Sequence, residues 1–128
     1  MLVKDIMTNK EKLVLVSPMN TVRDAIKKMK ENRVRSVIVE KTGDSGAYGL
    51  LTFKNILETI VAEEGDIDLL NVYDIATTPA ISISANIEVK YAARMMVAQS
   101  IKRLLIIDNN ELHGILGMSD IINILMED

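Results

Sequence analysis

Gly114–Asp120 reads GILGMSD, and Gly49–Asn55 reads GLLTFKN. Each stretch contains a glycine, two aliphatic residues, a turn and then a polar residue that opens a helix-like pattern. A strand that runs directly into a helix fits this order of residues. The two stretches therefore indicate that one structural unit occurs twice in 128 residues, ending in Asp in one copy and in Asn in the other.

The repeat extends over nearly the whole chain. Three further pairs of stretches align in the same order: VKDIMT at 3–8 with VYDIAT at 72–77, TVRDAIKKM at 21–29 with EVKYAARMM at 88–96, and VRSVIVE at 34–40 with IKRLLII at 101–107. The first copy is longer at Asn9–Lys12 and Lys41–Gly46. Both places are polar and turn-like, where insertions are tolerated.

Each copy has the pattern β-α-β-β-α, which predicts an α/β (α+β) fold of two repeats packed as one module. Predicted strands are LVLV (13–16), Ser36–Glu40 and Tyr48–Leu51 in copy one, and AISI (80–83), Arg103–Asp108 and Leu112–Leu116 in copy two. Apolar residues at helical spacing follow the first and third strand of each copy. We divide the chain into repeat 1 (1–63), an acidic connector (64–71) and repeat 2 (72–128).

Composition excludes several classes of protein. The net charge is −3, which argues against a general nucleic-acid-binding protein. There is no cysteine, hence no disulfide, thiolate nucleophile or thiolate metal site. The N-terminal charges disfavour a signal peptide, and no apolar run approaches the roughly 18 residues of a membrane span. We expect a cytoplasmic protein with no metal.

The repeated motifs resemble a tandem pair of cystathionine-β-synthase (CBS) domains. The resemblance rests on the DIMT-like lead-in, the A-x-x-x-M helix, the aliphatic strand with its basic lead-in, and the glycine turn that ends in Asp or Asn. It implies a pseudo-twofold module with clefts between the repeats that bind AMP, ADP or ATP, with S-adenosylmethionine or NAD as further possibilities. It also implies a regulatory protein rather than an enzyme.

The resemblance assigns candidate ligand contacts around the two turns. Helix N-termini offer free N–H groups to phosphate, and a carboxylate on the first turn can accept hydrogen bonds from both ribose hydroxyls. The candidates are Asp120 and Asn55 for ribose; Ser119, Lys102, Arg103, Thr52 and Arg35 for phosphate; and Thr78, Pro79, Ala80 and Ile81 for the adenine side of the second cleft. Asn55 is neutral, so we expect the Asp120 site to bind more tightly.

Other interpretations of the same residues remain open. Thr52 with Asn55, and Ser119 or Asp120, also fit as helix N-caps. The basic stretch Lys27–Arg35 could contact nucleic acid, although the aromatic residues that stack on single strands are scarce. His113 is the only histidine and has no cysteine or second histidine as a metal partner.

The sequence also leads to expectations about self-association and about an effector protein. We expect a homodimer through the helices predicted at Phe53–Ala62, Met118–Met126, 22–33 and 88–100. A ligand-free dimerisation module is the alternative to ligand sensing. Since the chain ends directly after its last predicted helix, we expect a separate effector polypeptide.

Overall fold

A computed structural model of the protein describes residues 1–127. Within them lie seven strands and five α-helices. In chain order they are β1 (Thr8–Asn9), β2 (Leu15–Val16), α1 (Val22–Asn32), β3 (Ser36–Val39), β4 (Gly49–Thr52), α2 (Phe53–Ile56), α3 (Val72–Ile75), β5 (Ser82–Ile83), α4 (Val89–Gln99), β6 (Arg103–Asp108), β7 (Glu111–Gly117) and α5 (Met118–Leu125). Short 3₁₀ helices occur at Val3–Asp5 and Lys10–Lys12, and α2 continues as a π-helix over Leu57–Ala62.

The chain forms two compact units. The first unit, Val14–Ala80, contains a three-stranded sheet in the order β2-β3-β4. β2 runs parallel to β3, and β3 runs antiparallel to β4, with Ser36 opposite Thr52. Its core is aliphatic because α1 and the sheet each bury one face. Its most deeply buried members include Val16, Val22, Ala25, Met29, Val37, Leu51 and Val72.

The second unit joins Met1–Leu13 to the segment from Ile81 onward. Its four-stranded sheet has the order β1-β7-β6-β5, in which only β5 and β6 are parallel. Arg103 lies opposite Gly117, the position equivalent to Ser36 and Thr52 in the first unit. Its buried core includes Val3, Ala92, Met96, Leu104, Ile106 and Leu116.

The longer helix of each repeat has local start and stop signals. Thr21 is the N-cap of α1: its Oγ1 accepts the Asp24 N–H at 3.1 Å, and Asp24 Oδ2 accepts the Thr21 N–H at 3.2 Å. α1 and α4 both end on a left-handed residue, Arg33 at φ 55° and Ser100 at φ 53°. The next N–H then bonds back to a methionine carbonyl in each helix, which is a Schellman ending.

The predicted fold class is confirmed, with several differences of detail. The first strand of each repeat is shorter than predicted, at Leu15–Val16 and Ser82–Ile83. Sequence periodicity missed β1 and α3, which have too few residues to show a period. It also missed the change from α to π geometry after Ile56. None of the helices within residues 1–127 is long and apolar enough to cross a membrane.

The lead-in segments belong to different units from the repeats they precede in sequence. β1 pairs antiparallel with β7, so Thr8 faces Ile115 and Asn9 faces Gly114. In the other unit, Thr77 and Leu50 exchange two backbone hydrogen bonds of 3.0 Å. Each lead-in therefore lies along the last strand of the other repeat.

Candidate functional site

The turn of repeat 1 is a closed hydrogen-bonded box at the start of α2. Asn55 Oδ1 accepts the Thr52 N–H at 2.9 Å and lies 3.0 Å from Thr52 Oγ1. Thr52 Oγ1 in turn accepts the Asn55 N–H at 3.3 Å. Both side chains are half-buried. The side-chain oxygen of Asn55 therefore already has two partners within the protein.

The segment after α3 lies beside this turn. The Asn55 Nδ2 group donates to Thr77 Oγ1 at 3.4 Å. A Cβ on Gly49 would collide with Thr78 Oγ1 and lie 3.1 Å from the Thr77 carbonyl oxygen. Glycine is therefore needed at position 49 because the segment Thr77–Thr78 approaches closely there.

The turn of repeat 2 is simpler. Asp120 Oδ2 accepts the Gly117 N–H at 2.7 Å, which is the same capping bond that Asn55 makes to Thr52. Gly117 has no hydroxyl, so the Thr52 Oγ1 contact has no counterpart. Within residues 1–127, no group donates a hydrogen bond to Asp120 Oδ1. A half-buried carboxylate with one free oxygen thus lies at the start of α5.

The second turn follows β7, and β1 pairs with that strand. Thr8 and Asn9 run antiparallel to Gly114 and Ile115. A Cβ on Gly114 would collide with the Thr8 carbonyl oxygen and lie 3.0 Å from Met7 Sδ. Both glycines of the repeated motif therefore allow a lead-in segment to pack closely against the last strand of a repeat.

Thr78, Pro79, Ala80 and Ile81, which the resemblance assigns to the adenine side of the Asp120 site, are divided between the two units. In the structure the first three lie in the unit of Asn55, where the Ala80 N–H bonds to the Tyr48 carbonyl at 3.0 Å. Ile81 belongs to the other unit, and its carbonyl accepts the Leu105 N–H at 3.0 Å. Thr8–Asn9 pairs with β7, the strand that precedes Asp120.

The predicted basic residues lie at the starts of the same helices. The Arg35 carbonyl accepts the Phe53 N–H at 3.3 Å, and the Lys102 carbonyl accepts the Met118 N–H at 3.1 Å. The Arg35 and Lys102 side chains are exposed, and Arg103 is half-buried. Ser119 is exposed on the first turn of α5. The structure thus joins the backbone of Arg35 to the first residue of α2 and the backbone of Lys102 to the first residue of α5.

Thr77 and Thr8 are polar residues in the lead-in segments that were not among the predicted site residues. They end the matched stretches VYDIAT and VKDIMT, so the repeat alignment already marked them as equivalent. Thr77 contacts Asn55, and Thr8 pairs with the strand that leads to Asp120. Neither the described helices nor the described strands bring three potential metal-ligating side chains together.

Comparison with known proteins identifies the family. A sequence model of the CBS domain matches residues 3–62 and 72–127. The chain belongs to the CBS domain family and contains two CBS domains. It is 31% identical over 109 residues to the uncharacterized protein MK0525 of Methanopyrus kandleri. That match covers 84% of this chain and only 55% of the relative, so this chain spans about half of the relative's length.

Solved structures share the fold. The hexameric CBS-CP12 protein from bloom-forming cyanobacteria has a TM-score of 0.86 and 32% identity, over 95% of this chain and 69% of that one. CBSX2 in complex with AMP has a TM-score of 0.80 and 21% identity, over 98% and 96% of the two chains. The second likeness is one of fold alone.

Proposed function

We propose that this protein is a regulatory module that binds adenosine nucleotides at its two glycine turns and signals their level to an effector. CBS domain pairs are in general regulatory or signal-transduction modules, and membership of that family supports the class of function. The fold neighbour CBSX2 binds AMP, which supports the class of ligand. AMP, ADP and ATP are the first candidates, and S-adenosylmethionine and NAD share the same adenosine group.

The free oxygen of Asp120 is the observation on which the proposal rests. A carboxylate whose Oδ2 is held by the Gly117 N–H is fixed in direction, and its Oδ1 can accept a ligand hydroxyl. Hydrogen bonds to charged acceptors contribute about 1.5–3 kcal/mol each. Asp120 thus suits a ribose diol, with Ser119 and Lys102 or Arg103 as phosphate contacts.

The first turn is the weaker site in this proposal. Asn55 Oδ1 already has two partners, Thr52 N and Thr52 Oγ1, and the amide carries no charge. A ligand hydroxyl there would have to compete with the protein's own hydrogen bonds. Thr52, Thr77, Thr78 and Arg35 are the remaining polar contacts that we assign to a ligand at this turn.

A thermal-shift panel tests the nucleotide proposal. AMP, ADP and ATP should raise the melting temperature of the purified protein, and the matching guanosine phosphates should raise it less. A ligand at 100 times its Kd adds about 2.7 kcal/mol to the free energy of unfolding, which is readily measured. The absence of any shift with millimolar adenosine ligands would overturn the proposal. Binding of short RNA with a steep salt dependence would favour the basic helix α1 instead.

Self-association is the second part of the proposed function. Large apolar side chains are exposed on the helices that close each repeat, including Phe53, Leu57 and Val61 in one unit and Ile122, Leu125 and Met126 in the other. Exposed apolar patches mark interaction sites. The CBS-CP12 protein, at 32% identity, is a hexamer. Light scattering across micromolar concentrations should show more than a 14.2 kDa monomer.

A further inference from the structure

We propose that the helix over residues 53–62, which closes repeat 1, is a conformational switch with two hydrogen-bonding registers. In the register that the structure shows, the second half of the helix is a π-helix and the chain stops at the left-handed residue Glu64. In the other register the whole helix is α-helical and stops at Gly65, so that it draws in the first residues of the acidic connector. The inference depends neither on nucleotide binding nor on self-association.

The end of this helix contains one residue more than a regular α-helical ending needs. In α1 and α4, the N–H after the left-handed residue bonds to a methionine carbonyl five positions back, at 3.0 Å in both helices. The N–H of Gly65, which follows left-handed Glu64 (φ 56°), bonds instead to the Thr59 carbonyl, six positions back, at 2.9 Å. Before it, the Glu63 N–H bonds to the Glu58 carbonyl at 3.2 Å, five positions back instead of the four of an α-helix.

The corresponding helix of repeat 2 has no such extra residue. α5 is α-helical over Met118–Leu125, and the Met126 N–H that closes it bonds to the Ile122 carbonyl, four positions back, at 3.2 Å. Both closing helices follow the same glycine motif, so the π geometry distinguishes repeat 1 from repeat 2. π-Helical turns are rare in proteins and are frequently found at functional sites.

Gly65, directly after Glu64, is the better residue for a left-handed helix end. Glycine is the usual residue there, because a Cβ makes the left-handed conformation unfavourable. The structure places Glu64 in that conformation, whereas the φ of Gly65 is not positive. The Glu64 side chain is exposed, and within residues 1–127 it forms no ion pair. A stop at Gly65 would therefore remove an unfavourable conformation without breaking an ion pair.

Close packing around Gly65 favours the observed register. A Cβ on Gly65 would lie 2.8 Å from the Thr59 carbonyl oxygen and 2.9 Å from Leu70 Cδ1, so the glycine fits tightly between the helix end and the connector. The connector is in turn bound to α1, since Arg23 Nη2 donates to Asp68 Oδ2 at 2.9 Å. A shift to the α register exchanges the packing of Gly65 for α-helical hydrogen bonds and a glycine stop. The two registers thus have opposing advantages, as a two-state element requires.

The backbone amide of Asp66 reports which register is present. In the part of the chain that the structure describes, the Asp66 N–H has no hydrogen-bond acceptor. In a regular ending on Gly65 it would bond to the Val61 carbonyl, five positions back. Hydrogen exchange at this amide should therefore be fast in the π register and slow in the α register.

Opposite substitutions at Glu64 test the switch. Glu64→Gly suits the left-handed conformation and should hold the π register. Glu64→Val should drive the helix into the α register, because β-branched residues avoid positive φ. By hydrogen-exchange NMR, the Asp66 amide should exchange about tenfold more slowly in Glu64→Val than in Glu64→Gly, with the parent protein between them. The same two changes at Glu31, which is exposed on the regular helix α1, should leave the Asp66 rate unchanged.

A one-residue deletion gives an independent measurement. Deletion of Ala62 removes the extra residue, so the Gly65 N–H bonds to the Thr59 carbonyl five positions back in a regular ending. This chain should melt within about 5 °C of the parent protein. The matched control is deletion of Lys27, an exposed residue of α1, which should lower the melting temperature by more than about 10 °C because it turns the buried Met29 away from the core.

Each result decides for or against the two registers. Equal Asp66 exchange rates in Glu64→Gly and Glu64→Val, with both variants folded in melting curves, would overturn the inference. A chain without Ala62 that is as unstable as the chain without Lys27 would also overturn it, since the π geometry would then not come from a surplus residue. Slow exchange in Glu64→Val, together with a stable chain that lacks Ala62, would support the switch.

Discussion

Replacing Asp120 separates its capping role from its proposed ribose contact. Asp120→Asn keeps an oxygen that can accept the Gly117 N–H, which Asp120 Oδ2 now accepts at 2.7 Å. The substitution removes the negative charge and gives the second turn the same side chain as Asn55. Asp120→Ala removes the cap and both acceptors together. The pair of variants therefore distinguishes a purely structural carboxylate from one that also binds ligand.

The expected magnitudes follow from these contacts. Losing a cap costs about 1 kcal/mol in the free energy of unfolding, so Asp120→Ala should be destabilised by that amount and Asp120→Asn by much less. Asp120→Ala should weaken adenosine binding by about 1.5–3 kcal/mol, which is roughly ten- to a hundredfold. Asp120→Asn exchanges a charged acceptor for a neutral one and should weaken binding by about 1 kcal/mol, or roughly fivefold.

Calorimetric titration with AMP and ATP, with melting curves in parallel, is the assay. Asn55→Ala is the matched control at the equivalent position of the first turn and should cost less affinity, because Asn55 Oδ1 is already occupied by Thr52. Asn55→Asp should increase the affinity of the first turn for AMP and ATP. Undiminished affinity in Asp120→Ala, or a larger loss in Asn55→Ala, would refute the ribose assignment and leave Asp120 as a cap.

Three further predictions concern stability. The Asp108 carboxylate accepts hydrogen bonds from Ser84 and from the Ala85 N–H at 3.1 Å, which hold its pKa below the usual value. The contribution of Asp108 to the free energy of unfolding is therefore complete above a pH of about 4 and is lost as the pH falls through the lowered pKa. In the acid range, the melting temperature of Asp108→Asn should therefore depend less on pH than that of the parent protein. The same pH dependence in both proteins would contradict this. Thr21→Ala removes the N-cap of α1 and should cost about 1 kcal/mol in denaturant titrations, a loss that Thr21→Ser should largely avoid. Leu104→Ala, at a position that is 0% exposed, should lower the free energy of unfolding by about 2–5 kcal/mol. Leu69→Ala, at a position that is 78% exposed, should leave it nearly unchanged. Equal losses in the two variants would argue against the described core.

The sequence contained local information that the structure bears out. Apolar spacing marked the buried faces of α1 and α4, because side chains three and four apart share one side of a helix. The repeated glycine motifs marked the places where β4 runs into α2 and β7 into α5. The polar residues after those strands were expected either to cap helices or to bind ligand. In the structure Asn55 and Asp120 both make capping bonds, and their ligand role stays a prediction.

Two repeats, their order of elements and the unequal residues at their turns were therefore predictable from the amino-acid sequence. Which lead-in segment pairs beside which turn was not, because it depends on contacts between distant parts of the chain. Strand edges leave N–H and C=O groups unpaired, and a distant segment can satisfy them. β1 does so for β7, and Thr77 does so for Leu50. Such pairing joins residues far apart in sequence, and it leaves no periodic pattern because the bonds are made by the backbone, which every residue shares.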